Sequence, residues 1–95
     1  MSVERRWSVR GFDWDEANEE HIARHGVTPG EAEEVFLRRM LVTRSRRGRY
    51  LVLGQSGAGR HLSVIVERRS GGLVRVVTVR DMSDAERRLY ARKRK

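Results

Sequence analysis

Three histidines are the residues of this chain best suited to proton transfer, because an imidazole titrates near neutral pH. They are His21, His25 and His61. His25 is the strongest candidate, since it lies in the last turn of a predicted helix, beside Arg24 and just before Gly26. The negative end of the helix favours the charged imidazolium, whereas Arg24 opposes it. The alternative is that His25 simply caps the helix by hydrogen bonding to its last carbonyl groups.

His21 and His25 also have the i, i+4 spacing of a helical metal-binding pair. The glutamate of a zincin helix is missing, and no obvious third ligand adjoins the pair. The chain has no cysteine, which excludes thiolate zinc sites, disulfides and cysteine nucleophiles. We therefore expect no metal and no cofactor. His61 begins a predicted strand beside Arg60, and a solvent-facing position is its simplest interpretation.

Two arginines near the end of an apolar stretch are candidates for binding an anion such as phosphate. Arg75 interrupts the run 73–79, where an unpaired buried guanidinium would be costly. It must face solvent, pair with a carboxylate or face an anion-binding cleft. Residues five apart in a strand point to opposite faces, so Arg75 and Arg80 share a site only if the strand ends or bulges before Arg80. The alternative for either is a structural ion pair, for example with Glu86.

Glu86 and Tyr90 are four residues apart on the last predicted helix and therefore share a face. Glu86 is either a proton acceptor or only the N3 residue of a capping box that begins at Ser83. Tyr90 is able to stack on a nucleobase or donate to a phosphate, and packing of its ring on the sheet is the default.

Helix-capping signals place these residues on three predicted helices. The signals are Asp15 before a helix over 16–25, Thr28-Pro29-Gly30-Glu31 at the start of the second helix, and Ser83-Asp84-Ala85-Glu86 at the start of a helix to about residue 92. Gly26 closes the first helix. The second helix packs through an apolar stripe formed by Ala32, Val35, Phe36 and Met40.

Five short strands complete the predicted fold. The first comes from alternation at Trp7, Val9 and Gly11, and the others follow at 41–43, 50–53, 61–66 and 73–79. Hairpin-length turns join the strands after the second helix, which predicts an antiparallel meander. The order β-α-α-β-β-β-β-α indicates an α+β domain, with a small antiparallel sheet and its helices on one face.

Length and charge limit the kind of protein. Ninety-five residues hold one compact domain over 1–95, with the basic end 92–95 expected to fray. No apolar run is long enough for a signal peptide or a bilayer span, so we expect a soluble, cytoplasmic protein without a membrane partner. The net charge of +8 favours RNA or DNA as partner. Residues 1–47 hold nine basic and nine acidic side chains, whereas 48–95 hold twelve basic and four acidic ones.

Nineteen of the 21 basic residues are arginine, whose planar fork suits bidentate phosphate contacts. A GC-rich genome would raise the arginine content equally. The cluster 44–49 is either a rim on which RNA docks or a solvated hairpin tip. The predicted RNA-binding residues are Arg24, Arg44, Arg46, Arg47, Arg49 and Arg60.

Four sequence blocks occur in a fixed order along the chain. They are Gly11-Phe12-Asp13-Trp14-Asp15-Glu16-Ala17-Asn18; Ala23-Arg24-His25-Gly26-Val27 followed by Glu31-Ala32 and Val35-Phe36; Arg75-Val76-Val77-Thr78-Val79-Arg80; and Glu86-Arg87-Arg88-Leu89-Tyr90. Together they resemble the BrnT toxins of type II toxin–antitoxin modules. Each block alone is a weak signal, whereas four in this order over residues 11–90 are fairly specific.

The resemblance implies a RelE-like fold and a ribosome-independent endoribonuclease that inhibits translation. It also implies a BrnA-like antitoxin, through which alone the module binds operator DNA. Cleaving RNA without a metal requires a base for the 2′-OH, cations for the pentacoordinate phosphate and an acid for the leaving 5′-oxygen. On this chain the candidates are His25, Arg75, Arg80, Glu86 and Tyr90, with His25 and Glu86 as the proton carriers.

Two other interpretations stay open. One is a non-catalytic nucleic-acid-binding module, whose basic surface supplies affinity through counterion release. The other is a pure interaction protein, whose charge serves an acidic antitoxin. Incubation with RNA in EDTA separates the nuclease from the binding module. The interaction protein is expected to bind its antitoxin tightly and to have negligible affinity for RNA.

Overall fold

One five-stranded sheet and three α-helices make up the computed structural model, which describes residues 7–93. The helices are α1 (Glu16–Ala23), α2 (Pro29–Glu34) and α3 (Asp84–Arg92), and the strands are β1 (Gly11–Phe12), β2 (Leu41–Arg44), β3 (Tyr50–Gln55), β4 (His61–Arg69) and β5 (Leu73–Asp81). This confirms the α+β class and the predicted order of elements. Of the tail expected to fray, residues 94–95 lie outside the described residues. Among residues 7–93, no helix is long and apolar enough to cross a lipid bilayer.

The sheet is mixed rather than antiparallel throughout, which corrects the prediction. Strands β2 to β5 form the expected antiparallel meander. Strand β1, however, lies parallel to β5, with Gly11 opposite Leu73 and Phe12 opposite Val74. Only a hairpin forces neighbouring strands to be antiparallel, and here two helices and three strands separate the pair. The predicted first strand also starts too early, because β1 begins only at Gly11. Trp7 precedes it and packs in the core edge-on to Tyr50.

The helices cover both faces of the sheet, so the prediction of one covered face is wrong. Along β3, Val52 belongs to the core cluster that contains Ile22 of α1, whereas Leu53 belongs to the cluster that contains Tyr90 of α3. Adjacent strand residues point to opposite faces. Since the middle strands are apolar on both faces, each face needs a helical cover.

All three helices begin with a capping box, which confirms the predicted starts. The N-cap and N3 residues are Asp15 with Asn18, Thr28 with Glu31, and Ser83 with Glu86. Helix α1 ends at Ala23, two residues earlier than predicted. His25 therefore lies in the turn after the helix, and the chain reverses at Gly26, whose φ of +69° is readily adopted by glycine.

A β-bulge in β5 decides which of its side chains share a face. Val66 pairs with Val76 and Ile65 pairs with Thr78, so Val77 is an extra residue on β5. Val76 and Val79 consequently both enter the core under α1, although they are three residues apart. Because of the same extra residue, the side chains of Arg75 and Arg80 both lie on the face of β5 opposite to Val76 and Val79. The bulge that a shared face requires is therefore present.

Candidate active site

Arg80 and Glu86 form a bidentate ion pair where β5 ends and α3 begins. The guanidinium Nη1 and Nη2 donate to the carboxylate Oε1 and Oε2 over 2.8 and 3.0 Å. Local sequence brings them together, because Arg80 is the penultimate residue of β5 and Glu86 is the N3 residue of α3. The Arg80 side chain is 49% exposed and that of Glu86 only 16%. The Arg80 side chain is thus half open to solvent, while that of Glu86 is largely covered.

The ionisation of Glu86 reflects two opposing influences. Burial raises the pKa of Glu86, but hydrogen bonds from Arg80 and from the Ser83 backbone N–H outweigh it, so that the pKa lies below its ordinary value of 4.5. Ser63 of β4, which pairs with Arg80 across the sheet, also donates from Oγ to Glu86 Oε2 over 3.4 Å. The carboxylate is therefore ionised at neutral pH.

His21 and His25 lie side by side near the C-terminal end of α1, with ring centroids 5.9 Å apart. The Nε2 atom of His21 is 3.1 Å from Thr78 Oγ1. Thr78 is two residues before Arg80 and lies on the same face of β5, about 7 Å away along the strand. His25 is exposed, and its backbone N–H donates to the Ile22 carbonyl over 2.9 Å. Within residues 7–93, no three His, Asp or Glu side chains are grouped to hold a metal ion.

Arg60 is adjacent to this pair of histidines and to the end of β5. It donates to the carboxylates of Asp81 and Glu31 and to the backbone carbonyls of His25 and Gly26. The hydrogen bonds with Asp81 raise the pKa of Arg60 and lower the pKa of Asp81. The structure thus places this predicted RNA-binding residue in contact with four protein partners.

Tyr90 is buried in the smaller core rather than displayed at the site. Its hydroxyl donates to the Arg39 carbonyl over 3.0 Å. Its ring packs edge-on to His61, with centroids 6.0 Å apart. The packing interpretation of Tyr90 is therefore the one that the structure supports, and His61 lies on the ring of Tyr90 rather than freely in solvent.

Arg75 lies at the other end of β5 from Arg80. The two are five positions apart, about 15 Å along a strand, so they share a face but not a site. The Arg75 guanidinium is 2.8 Å from an Asp15 oxygen and 3.7 Å from an Asp13 oxygen. A backbone hydrogen bond from Asn18 and the Arg75 guanidinium lower the pKa of Asp15. Arg75 therefore holds the N-cap of α1, the helix that carries His21.

The predicted arginine cluster lies at the end of the sheet opposite Arg80, in the turn between β2 and β3. Arg46 and Arg47 are exposed and have no ion-pair partner among residues 7–93. The other two predicted RNA-binding arginines of this cluster each have a contact, Arg44 with the Tyr50 ring and Arg49 with Glu67. The turn is thus a solvent-exposed hairpin tip that carries positive charge. Arg24, at the C-terminal end of α1, is 4.0 Å from Glu20.

Four residues at the site were not among the predicted site residues. They are His21, Ser63, Thr78 and Asp81. Two signals were present in the sequence, since His21 is one helical turn from His25 and Thr78 alternates with Arg80. For Ser63 and Asp81 no signal existed. Ser63 meets Glu86 through the register of β4 and β5, and Asp81 meets Arg60 across 21 residues.

Comparison with known proteins identifies the family. A search of curated proteins returns no match. The family model described as the ribonuclease toxin BrnT of type II toxin–antitoxin systems matches residues 14–86, which are 73 of the 95 residues. This range runs from the residue before the α1 N-cap to Glu86. It includes the second and third of the four blocks in full, residues 14–18 of the first and Glu86 of the fourth. The chain belongs to the BrnT family of ribonuclease toxins of type II toxin–antitoxin systems.

Proposed function

We propose that this protein is a metal-independent endoribonuclease with a RelE-like fold, which cleaves RNA in the cytoplasm and so inhibits translation. The attacking group is the 2′-OH of the substrate itself. The observation that carries the proposal is the pairing of a half-exposed guanidinium, Arg80, with a covered carboxylate, Glu86. Membership of a family of ribonuclease toxins supports RNA as the substrate.

Arg80 binds the scissile phosphate. Its planar fork now holds two carboxylate oxygens in parallel hydrogen bonds, and two phosphate oxygens have the same geometry. Because about half of the side chain is exposed, a phosphate can reach it from solvent. The guanidinium then stabilises the negative charge that develops on the pentacoordinate phosphate.

Glu86 becomes a base when the phosphate binds. In the free protein, hydrogen bonds from Arg80 oppose the effect of burial on the pKa of Glu86. A phosphate that takes over these hydrogen bonds leaves the burial effect and adds a negative charge, and both raise the pKa of Glu86. The carboxylate then accepts the proton of the 2′-OH, which attacks the phosphorus atom.

His25 supplies the proton to the leaving 5′-oxygen. Histidine is the side chain most often used for general acid catalysis, and this one is exposed in the turn after α1. His21 contacts both the His25 ring and Thr78 on the strand of Arg80, and so keeps the pair of rings beside β5. Arg75 and Tyr90 support the site from a distance, Arg75 through the start of α1 and Tyr90 through the packing of α3.

Exposed arginines away from the cleaved bond supply affinity for the RNA backbone. Arg46 and Arg47 are the best placed, because among the described residues no carboxylate pairs with them and their counterions can be released. Arg24, Arg44 and Arg49 extend the basic surface. A BrnA-like antitoxin with an acidic segment covers this surface, and operator DNA is bound only through that antitoxin.

The test is to incubate the purified protein with RNA in EDTA and to analyse the ends of the products. The proposal predicts 2′,3′-cyclic phosphate and 5′-OH ends, and loss of cleavage in Arg80→Ala. The matched control is Arg38→Ala, which removes an exposed arginine outside the site. Products with 5′-phosphate ends, or cleavage only with added divalent metal, would contradict the mechanism. Binding of RNA without cleavage would favour the non-catalytic module.

A further inference from the structure

Arg60, in the turn between β3 and β4, uses its whole guanidinium on protein groups. Its Nε and Nη2 donate to the two carboxylate oxygens of Asp81 over 2.8 and 3.2 Å. Its Nη1 donates to the Gly26 carbonyl over 2.7 Å and to a Glu31 oxygen over 3.4 Å, and Nη2 also donates to the His25 carbonyl over 3.3 Å. These five hydrogen bonds equal the five N–H donors of a guanidinium. No donor is left for a phosphate.

The net charge of Arg60 and its neighbours also disfavours contact with a phosphate. One guanidinium lies against two carboxylates, those of Asp81 and Glu31, so the three side chains together carry a negative charge when all are ionised. A second anion at this position would be repelled. The sequence-based assignment of Arg60 to RNA binding is therefore not what the geometry favours.

Three of the four partners of Arg60 lie on two separate segments beside the proposed active site, and the fourth, Glu31, is in α2. His25 and Gly26 form the turn after α1, and Asp81 follows Arg80 at the end of β5. The backbone hydrogen bonds of that turn run back to α1 itself, from His25 and Gly26 to the Ile22 and Ala23 carbonyls. They do not connect the turn to β5, whereas Arg60 hydrogen-bonds both to the turn and to Asp81 of β5.

We propose that Arg60 is a positioning residue, which holds the His25 turn against the Arg80 end of β5 without touching RNA. This inference rests on the proposed function, since it concerns the two ends of the same cleavage site. General acid catalysis depends on close placement, and a displacement of 1 Å can lower a rate about 100-fold. Loss of Arg60 therefore reduces the rate of cleavage and not the affinity for RNA.

The first measurement is the salt dependence of RNA binding. A single-stranded RNA with 2′-O-methyl groups is used, because it lacks the attacking hydroxyl. Each cation that contacts a phosphate contributes about 0.7 to the slope of log K against log salt concentration. We expect Arg60→Ala and Arg60→Lys to keep the wild-type slope, and Arg46→Ala to reduce it by about 0.7. A reduced slope in the Arg60 variants would overturn the inference.

The second measurement is the steady-state rate of cleavage over a range of RNA concentrations up to saturation. Lysine keeps the charge of Arg60 but cannot span four partners, so Arg60→Lys should lower the rate about 100-fold with KM nearly unchanged. Arg38→Ala is the control for loss of an exposed arginine and should keep the wild-type rate. A full rate in Arg60→Lys would overturn the inference. If Arg60→Ala does not fold, Arg60→Lys and Asp81→Asn carry the test.

Hydrogen exchange provides a readout that does not require cleavage. In Arg60→Lys the amides of His25 and Gly26 should exchange faster than in the wild type, because their turn is no longer held to β5. Unchanged exchange would contradict the inference. A wild-type protein that does not cleave RNA would instead contradict the proposed function, and the exchange rates and salt slopes would still decide whether Arg60 positions the turn.

Discussion

At the residue scale, the Glu86 carboxylate has two roles, and a single substitution of Glu86 would affect both of them. Its carboxylate completes the capping box of α3 and also pairs with Arg80. Ser83 takes part only in the first of these. Replacing each residue in turn therefore separates the stability of the helix start from the chemistry of the carboxylate.

Glu86→Gln should lower the cleavage rate by at least about 100-fold, the usual contribution of a positioned base. The amide keeps the shape of the side chain and can still accept the Ser83 N–H, but it cannot take a proton from the 2′-OH. The measurement is single-turnover cleavage at neutral pH. As the control, Ser83→Ala should cost about 1 kcal/mol of stability and leave the rate near that of the wild type. A wild-type rate in Glu86→Gln would exclude Glu86 as the base.

The stability of the protein should fall with acid in a way that depends on Glu86. The pKa of Glu86 is lowered from 4.5 in the folded state, so its contribution is fully present above about pH 4.5 and is lost as the pH falls through the folded value. The pKa of Glu67 and of Asp81 is lowered too, with the same sign. Urea unfolding at several pH values should show a smaller acid loss for Glu86→Gln than for the wild type. Equal losses would contradict this.

At the scale of elements, α1 is held to β5 at both ends. Near its start, Asn18 donates from Nδ2 to the Val76 carbonyl over 2.7 Å, and Arg75 pairs with Asp15. Near its end, His21 meets Thr78. The helix therefore runs along β5, beyond the two residues that β1 covers, and delivers its histidines to the Arg80 end.

Arg75→Ala and Asp15→Asn should reduce cleavage by similar factors, and the double variant should be no worse than either. This follows because both substitutions remove the same contact at the start of α1, and effects on one shared interaction do not add. The measurement is a double-mutant cycle on the single-turnover rate. If Arg75 instead binds phosphate, Arg75→Ala would reduce the slope of log K for RNA binding against log salt concentration by about 0.7. Asp15→Asn would then leave that slope unchanged.

At the scale of the whole molecule, charge is divided between the two halves of the chain. The acids of residues 13–34 lie on and around α1 and α2, whereas residues 48–95 carry a net charge of +8. The toxin must be kept inactive by its antitoxin, and a basic surface attracts an acidic segment over a distance. This attraction increases the rate of encounter more than the final affinity.

Association with the antitoxin should therefore slow markedly between low and physiological salt, while dissociation changes little. Stopped-flow mixing of the toxin with its antitoxin measures both rates. An association rate that is indifferent to salt would show that the positive charge serves RNA alone. Tight binding of the antitoxin also needs apolar contacts, and we expect these on α3 or at an edge of the sheet.

The sequence by itself determined the local parts of this structure. Helix caps involve residues three positions apart: the capping boxes at Thr28 and Ser83 and the N-cap at Asp15 were predicted, and all three are present. Hairpin-length turns determined the meander of β2 to β5, and ordered motifs indicated the family. The pairing of Arg80 with Glu86 was also foreseen as an alternative, because only a short turn separates the two residues.

Only the tertiary structure decided the features that depend on distant pairing. Nothing local required β1 to lie parallel to β5, and α3 crossed to the second face because that face also needed an apolar cover. The bulge at Val77 is a matter of register between two strands, and it determines on which face Arg80 lies. Arg60 meets Asp81 and the His25 turn across 21 and 35 residues. The folding of the chain determines which groups surround the Arg60 guanidinium. Its charge alone therefore predicted RNA binding, whereas its contacts support the positioning role that we propose.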